Sequence, residues 1–280
     1  MYLDPGPAGE IYRLRLNRAA AWIDNLKLPK PSQVLEIGCG AGQLTVELAR
    51  RGHHVSATDA SEGMVDFAQE HVREASVTNM ARVVRGDALA LPFADTSMDV
   101  VVALGVISWV RSPQQAMSEM RRVVKEDGYV LFSAYNAYSL RDLLDPVRSD
   151  IFAPLRRNLK RFIPGISARQ GVPRPRPRPY RRYDVTRLIA AVGMAPIRST
   201  TLGFGPFTVL WRPILSGTIG VRIQKCLQRL ADDAVPGVRS TGRFHLVLAR
   251  PHARLRRSVS RVSDLARTPY WAVTDQSAAD

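Results

Sequence analysis

Between residues 32 and 134 short apolar runs take turns with helical stretches, and this rhythm constrains the fold more than any other feature of the chain. Ser32–Gly38, His54–Asp59, Arg82–Asp87, Met98–Leu104 and Gly128–Ala134 read as strands. The fourth is nearly all apolar, as expected of a strand covered on both faces. Leu44–Arg50, Glu62–Glu74 and Pro113–Val124 read as helices, the first stopped by Gly52 and the last opened near Ser112. Such alternation calls for parallel strands joined by right-handed crossovers, with helices on both faces of the sheet. Residues 32–136 are therefore expected to form a doubly wound α/β core.

A helix over Glu10–Leu26 precedes this core, ended by Pro29 and Pro31, within a first segment 1–31. The rhythm breaks over 137–182, a basic insertion expected to be partly helical around Leu155–Phe162. Its run Pro173-Arg-Pro-Arg-Pro-Arg-Pro179 favours polyproline II. Residues 183–250 resume with a helix over Asp184–Val192 and strands at Ile197–Leu202 and Phe244–Ala249. Between these strands an amphipathic insertion spans 206–240. In it Ile219, Ile223, Cys226, Leu227 and Leu230 share a helical face expected to pack on the sheet. Arg222, Lys225 and Arg229 lie on another face. Residues 251–280 read as a polar tail.

Charge separates the halves. Residues 1–140 hold 14 Lys/Arg against 16 Asp/Glu, whereas 141–182 hold 12 against 3, within a net charge of +15. A localised positive field attracts anionic partners: an acidic acceptor, an anionic membrane surface or nucleic acid. The apolar stretch Val100–Val110 is too short to span a bilayer, and the first ten residues have no apolar signal core. Two cysteines, Cys39 and Cys226, make neither a disulfide framework nor a metal cluster. The expectation is a cytoplasmic protein without a metal, with peripheral membrane contact as an open alternative.

The densest chemical signal is Val34-Leu-Glu-Ile-Gly-Cys-Gly-Ala-Gly42. A strand stops at glycines spaced G-x-G-x-G and a helix follows, so the backbone can turn sharply and approach a ligand. Gln43 stands where the dinucleotide fingerprint has its third glycine, and no Gly-Lys-Ser/Thr ending of a phosphate loop follows. Glu36 puts an acid at the strand end, which suits an ammonium better than a pyrophosphate. Asp59 ends the second strand, where a carboxylate can accept two ribose hydroxyls. Asp87 ends the third, placed to accept an adenine amino group while Ala88 offers a backbone N–H. Met64 is placed against an adenine face, with core packing as its ordinary alternative.

LEIGCGAGQ, ATDAS with Met64 five residues after Asp59, GDALALPF, SMDVVVALGVISWV and MRRVVKEDGYVLFS together resemble the class I S-adenosylmethionine-dependent methyltransferases. The small-molecule group that includes ubiquinone- and menaquinone-biosynthesis-type enzymes is the nearest in flavour. The resemblance covers roughly residues 30–135 and extends more weakly to the last strand. It implies a seven-stranded sheet in the order 3-2-1-4-5-7-6, strand 7 antiparallel. It also implies S-adenosylmethionine as cofactor, with Gly38, Gly40 and the backbone near Glu36 at its methionine part. Asp59 and Ala60 would hold the ribose; Met64, Asp87 and Ala88 the adenine; Leu104, also at the cofactor, and the turn to Trp109 would lie between its methionine part and the acceptor.

Ser108-Trp109 stand where many members of that family carry His or Glu, so no base is expected after strand four. Tyr12, Tyr138 and His245 are the candidate bases, with His71 and Tyr135 behind them. The expected reaction moves a methyl group to O, N or C of a small-molecule acceptor, which could be lipid- or glycan-linked. The competing readings are an RNA methyltransferase recruited by the basic block and a non-catalytic interaction protein of the same fold.

Overall fold

The computed structural model describes residues 6–145, 176–205, 208–209, 212–213 and 217–252. The expected helix at Leu155–Phe162, the start of the proline arm with Arg174, and the tail from 253 lie outside the described residues. The described residues fall into two compact units. A larger one takes 18–134, 182–199 and the chain from 246; a smaller one takes the chain to 17, 135–181 and 200–245.

The long strands are β1 (Gln33–Ile37), β2 (His54–Asp59), β3 (Ala81–Arg85), β4 (Met98–Leu104), β5 (Val124–Asn136), β6 (Met194–Leu202) and β7 (Phe244–Pro251). They follow the order β3-β2-β1-β4-β5-β7-β6, as the resemblance implies. Val34 at the centre of the sheet sits opposite Val55 of β2 and Val100 of β4, both parallel neighbours. The Asn136 N–H at the end of β5 donates to the Arg243 carbonyl just before β7 (2.9 Å). The Arg243 N–H donates to Gly203 just after β6 (2.7 Å), and the His252 N–H to Gly193 just before β6 (2.9 Å). β7 therefore runs antiparallel to both neighbours.

In the larger unit α2 (Gln43–Arg50) and α3 (Glu62–Glu74) pack over β2 and β3, and α4 (Pro113–Val123) packs on β4. Leu35, Ile37, Leu48, Met117, Met120 and Phe132 are fully buried there. Burying one such side chain is worth about 1.5–3 kcal/mol against leaving it exposed. Ser112 caps α4 by accepting from the Gln115 N–H (3.4 Å), and Pro113 occupies the first turn, where its missing N–H costs nothing.

In the smaller unit the helix Gly217–Asp232 corrects one expectation. Ile219 is 62% exposed, and Leu230 and Cys226 are also exposed. The buried positions are Gly220, Gln224, Gln228 and Ala231, with Ile223 and Leu227 half-covered against Phe204. Hydrogen bonding explains the rotation. Gln228 accepts from the Gly203 N–H (3.0 Å) and donates to the Thr201 carbonyl (3.3 Å) and to Asp232 (3.0 Å). Backbone groups at the end of β6 would otherwise be buried unpaired, a cost that outweighs burying one more aliphatic group. Lys225, expected on a solvated face, pairs with Glu10 at 3.2 Å. Gln228→Leu should therefore destabilise the protein by about 2 kcal/mol, read as a lower urea midpoint, even though leucine is the more apolar residue. An unchanged midpoint would show that water replaces the amide.

Candidate cofactor site

The ends of β1, β2 and β3 bring the expected binding residues together within the larger unit. The loop after β1 is hooked onto β2, because the Gly38 and Cys39 N–H groups both donate to the Thr58 carbonyl (2.7 and 3.0 Å). Gly38 has φ +68°, and a Cβ there would lie 2.5 Å from Val106 Cγ2, so only glycine fits beneath the turn after β4. Gly40 has φ +54°, but a Cβ there would meet nothing within 4 Å. That is the open side of the loop, where a ligand can come close to the backbone.

The Gly40 N–H donates to Asp59 Oδ2 (3.0 Å) and the Ser61 N–H to Asp59 Oδ1 (2.9 Å). Each carboxylate oxygen keeps a second lone pair, so Asp59 can still accept both hydroxyls of a vicinal diol. Asp87 is exposed, its Oδ1 held by the Leu89 N–H (2.9 Å), and Ala88 beside it is buried. Met64 is 40% exposed and Ala60 is exposed, so the core alternative for Met64 does not apply. Leu104 is half-buried at the end of β4 opposite Ser133, and the turn beyond it leaves Trp109 exposed.

Glu36 lies inside β1 between Ala57 and Val102, and it is buried. Thr45 Oγ1 of α2 donates to its Oε2 at 2.5 Å. Burial pushes its carboxyl up to about 7; the Thr45 hydrogen bond opposes the rise and the Asp59 charge adds to it. Burial, with the Glu36 and Asp59 charges, likewise pushes the Cys39 thiol well above the usual range, which keeps it protonated and unreactive. Among the described residues no three His, Cys, Asp or Glu side chains gather as metal ligands.

Sequence reasoning missed the residues that hold the Asp87 loop. Gln115 of α4 donates to the Leu89 carbonyl (2.9 Å), and Glu119 accepts from the Leu91 N–H (2.8 Å). Arg122 donates to the Leu91 and Phe93 carbonyls (3.0 and 2.7 Å), to Asp95 (2.7 Å) and to both oxygens of Glu119. The only signal was three polar residues recurring on one face of a helix, which normally means solvent.

Apart from His71, the candidate bases belong to the smaller unit. His245 is buried, its Nε2 3.3 Å from the Tyr180 carbonyl. Tyr138 is 49% exposed beneath Arg181, and Tyr12 lies under Arg15. Tyr135 packs on Phe244. His71, in the larger unit, places Nδ1 3.0 Å from the Ala41 carbonyl, which gives that ring a bracing role on the glycine loop.

A family model described as a methyltransferase domain matches residues 35–132, the stretch carrying the glycine loop, Asp59, Asp87 and β4. Residues 35–132 thus carry the segment that this methyltransferase-domain model describes. The chain is 38% identical over 111 residues to a malonyl-[acyl-carrier protein] O-methyltransferase of Erwinia pyrifoliae, covering 40% of each chain. It is 35% identical over 130 residues to a ubiquinone biosynthesis O-methyltransferase of Pseudomonas putida, covering 46% of this chain and 54% of that one. The chain thus spans about half, or less, of the length of these relatives. Beyond the domain, the magnesium protoporphyrin IX methyltransferase of Synechocystis, solved with bound S-adenosylmethionine, shares the fold with a TM-score of 0.56 at 15% identity. That superposition covers 88% of this chain and 82% of the other.

Proposed function

We propose that the chain binds S-adenosylmethionine and transfers its methyl group to a small-molecule acceptor. The observation that carries this reading is the Asp59 carboxylate, braced by the Gly40 and Ser61 N–H groups with acceptor capacity to spare. Asp87 and Ala88 on the next strand end supply the second contact, to the adenine edge, and exposed Met64 offers a face to the ring. Gly38 and Gly40 let the backbone reach the methionine part. The cofactor supplies an activated methyl on a sulfonium: the acceptor's lone pair forms the new bond to carbon, and the broken C–S pair stays on a neutral sulfur. Positioning then dominates, since aligned reactants gain about 7–11 kcal/mol in favourable cases. The residues of the chain bind, orient and exclude water, and a base matters only where the acceptor must lose its proton early. The names of the O-methyltransferase relatives support oxygen as the accepting atom.

Calorimetry should show binding of both S-adenosylmethionine and S-adenosylhomocysteine, with neither EDTA nor reductant altering it. A screen with labelled cofactor over metabolite pools, lipid extract and RNA should label the small-molecule fraction. Folded protein that binds neither ligand, or that binds NADH more tightly, would end this reading. Label appearing in RNA alone would move the function to the competing class.

A further inference from the structure

Two arginines of the smaller unit share one aromatic cluster. Arg15 Cζ of α1 (Pro7–Asp24) lies 4.8 Å from the Phe244 ring centroid and 5.4 Å from that of Tyr12. Arg243 Cζ lies 5.3 Å from the same Phe244 ring and 5.4 Å from Tyr135. The Tyr135 and Phe244 rings are 4.7 Å apart and tilted by 59°. Among the described residues neither guanidinium pairs with a carboxylate, and Arg243 Nε is buried with no hydrogen-bond partner. Burial holds the Arg15 guanidinium below the usual arginine range, and the like charge of Arg243 adds to this against the opposing pull of Tyr12 and Tyr135.

This arrangement is costly for the protein alone. A guanidinium stays charged in any protein environment, so two part-buried ones beside each other gain from a carboxylate or an anionic ligand. Ring faces recover part of the loss through cation–π attraction, but they accept no hydrogen bond as strong as an oxyanion does. An incoming carboxylate or phosphate would supply the acceptor that both forks lack, and the half-buried Tyr12 and Tyr135 rings would flank a flat apolar body beside it.

We propose that Arg15 and Arg243 bind the carboxylate or phosphate of the acceptor, with its flat body against the half-buried Tyr12 and Tyr135 rings. The occupant's identity as acceptor rests on the methyl-transfer reading above; the anion site itself does not.

The test is calorimetry on the full chain with phenyl phosphate, benzoate, neutral benzamide and inorganic phosphate. Phenyl phosphate and benzoate should each bind at least tenfold more tightly than benzamide, and phenyl phosphate tenfold more tightly than inorganic phosphate. Arg15→Met and Arg243→Met should each weaken phenyl phosphate at least tenfold, leave S-adenosylhomocysteine affinity unchanged, and hold or raise Tm because an unpaired buried charge is gone. Wild-type protein that binds the anions no better than benzamide would overturn the proposal without needing any variant. So would methionine variants that lose Tm but keep phenyl phosphate affinity, because the arginines would then be packing devices. Failure of wild type to bind S-adenosylhomocysteine would defeat the methyltransferase reading instead and leave the anion result standing.

Discussion

Replacing Asp59 with alanine should weaken S-adenosylhomocysteine binding by a few hundredfold while the protein stays folded. Two losses coincide at this residue. The ribose would lose a charged acceptor for two hydroxyls, and hydrogen bonds to charged groups are worth about 1.5–3 kcal/mol each. The loop would also lose its brace, because the Gly40 and Ser61 N–H groups both close onto this one carboxylate. Even the low end, about 3 kcal/mol for two hydroxyls, exceeds a hundredfold at 1.4 kcal/mol per factor of ten. Global stability should change little, since both freed N–H groups sit where water can reach them. Asp59→Asn separates the two losses. Its amide oxygen can still take one loop N–H, but its NH2 end accepts nothing, so its affinity should fall between the other two. Calorimetry on the three proteins checks the ranking. An alanine variant within threefold of wild type would mean that no cofactor rests at the end of β2.

The positions of Asp59 and Asp87 at the strand ends were legible in the sequence, because apolar runs show where each strand stops. An acid that ends a strand of a parallel sheet faces the ligand edge, and the strands could be read from apolar runs. The braces were not legible. Gln115, Glu119 and Arg122 reach the Leu89–Asp95 loop across separations of about 26–31 residues, and their polar pattern matches that of an ordinary solvated face. The helix Gly217–Asp232 misled for a related reason. Of its apolar stripe, Ile219, Cys226 and Leu230 face outward, because unpaired backbone at Thr201 and Gly203 calls for Gln228 more than the sheet calls for leucine. Arg15 and Arg243 come from opposite ends of the chain, so their meeting is a product of the fold that no local pattern records.

Glu36→Gln should leave the protein more stable at pH 8 by about 3 kcal/mol, relative to whatever difference it shows at pH 4.5. In the unfolded chain this carboxyl titrates near 4.5; in the folded one burial moves it to about 7. Below pH 4.5 it is protonated in both states, and its contribution is fully present. As the pH climbs from 4.5 to 7 the unfolded state gives up the proton first, so the unfolded chain is favoured and stability falls. Above 7 the folded carboxyl ionises as well, and the loss levels off. The rise from 4.5 to about 7, at about 1.36 kcal/mol per pH unit, gives the magnitude. Glutamine mimics the protonated acid, since its amide oxygen can still accept from Thr45 Oγ1, and it carries no charge to desolvate. Every other titrating group is common to the two proteins and cancels in the difference. Urea unfolding of both at pH 4.5, 6 and 8 should therefore give a gap that widens with pH. A gap that stays flat would show that Glu36 ionises at an ordinary pH, and that the floor of the glycine loop is wet rather than dry.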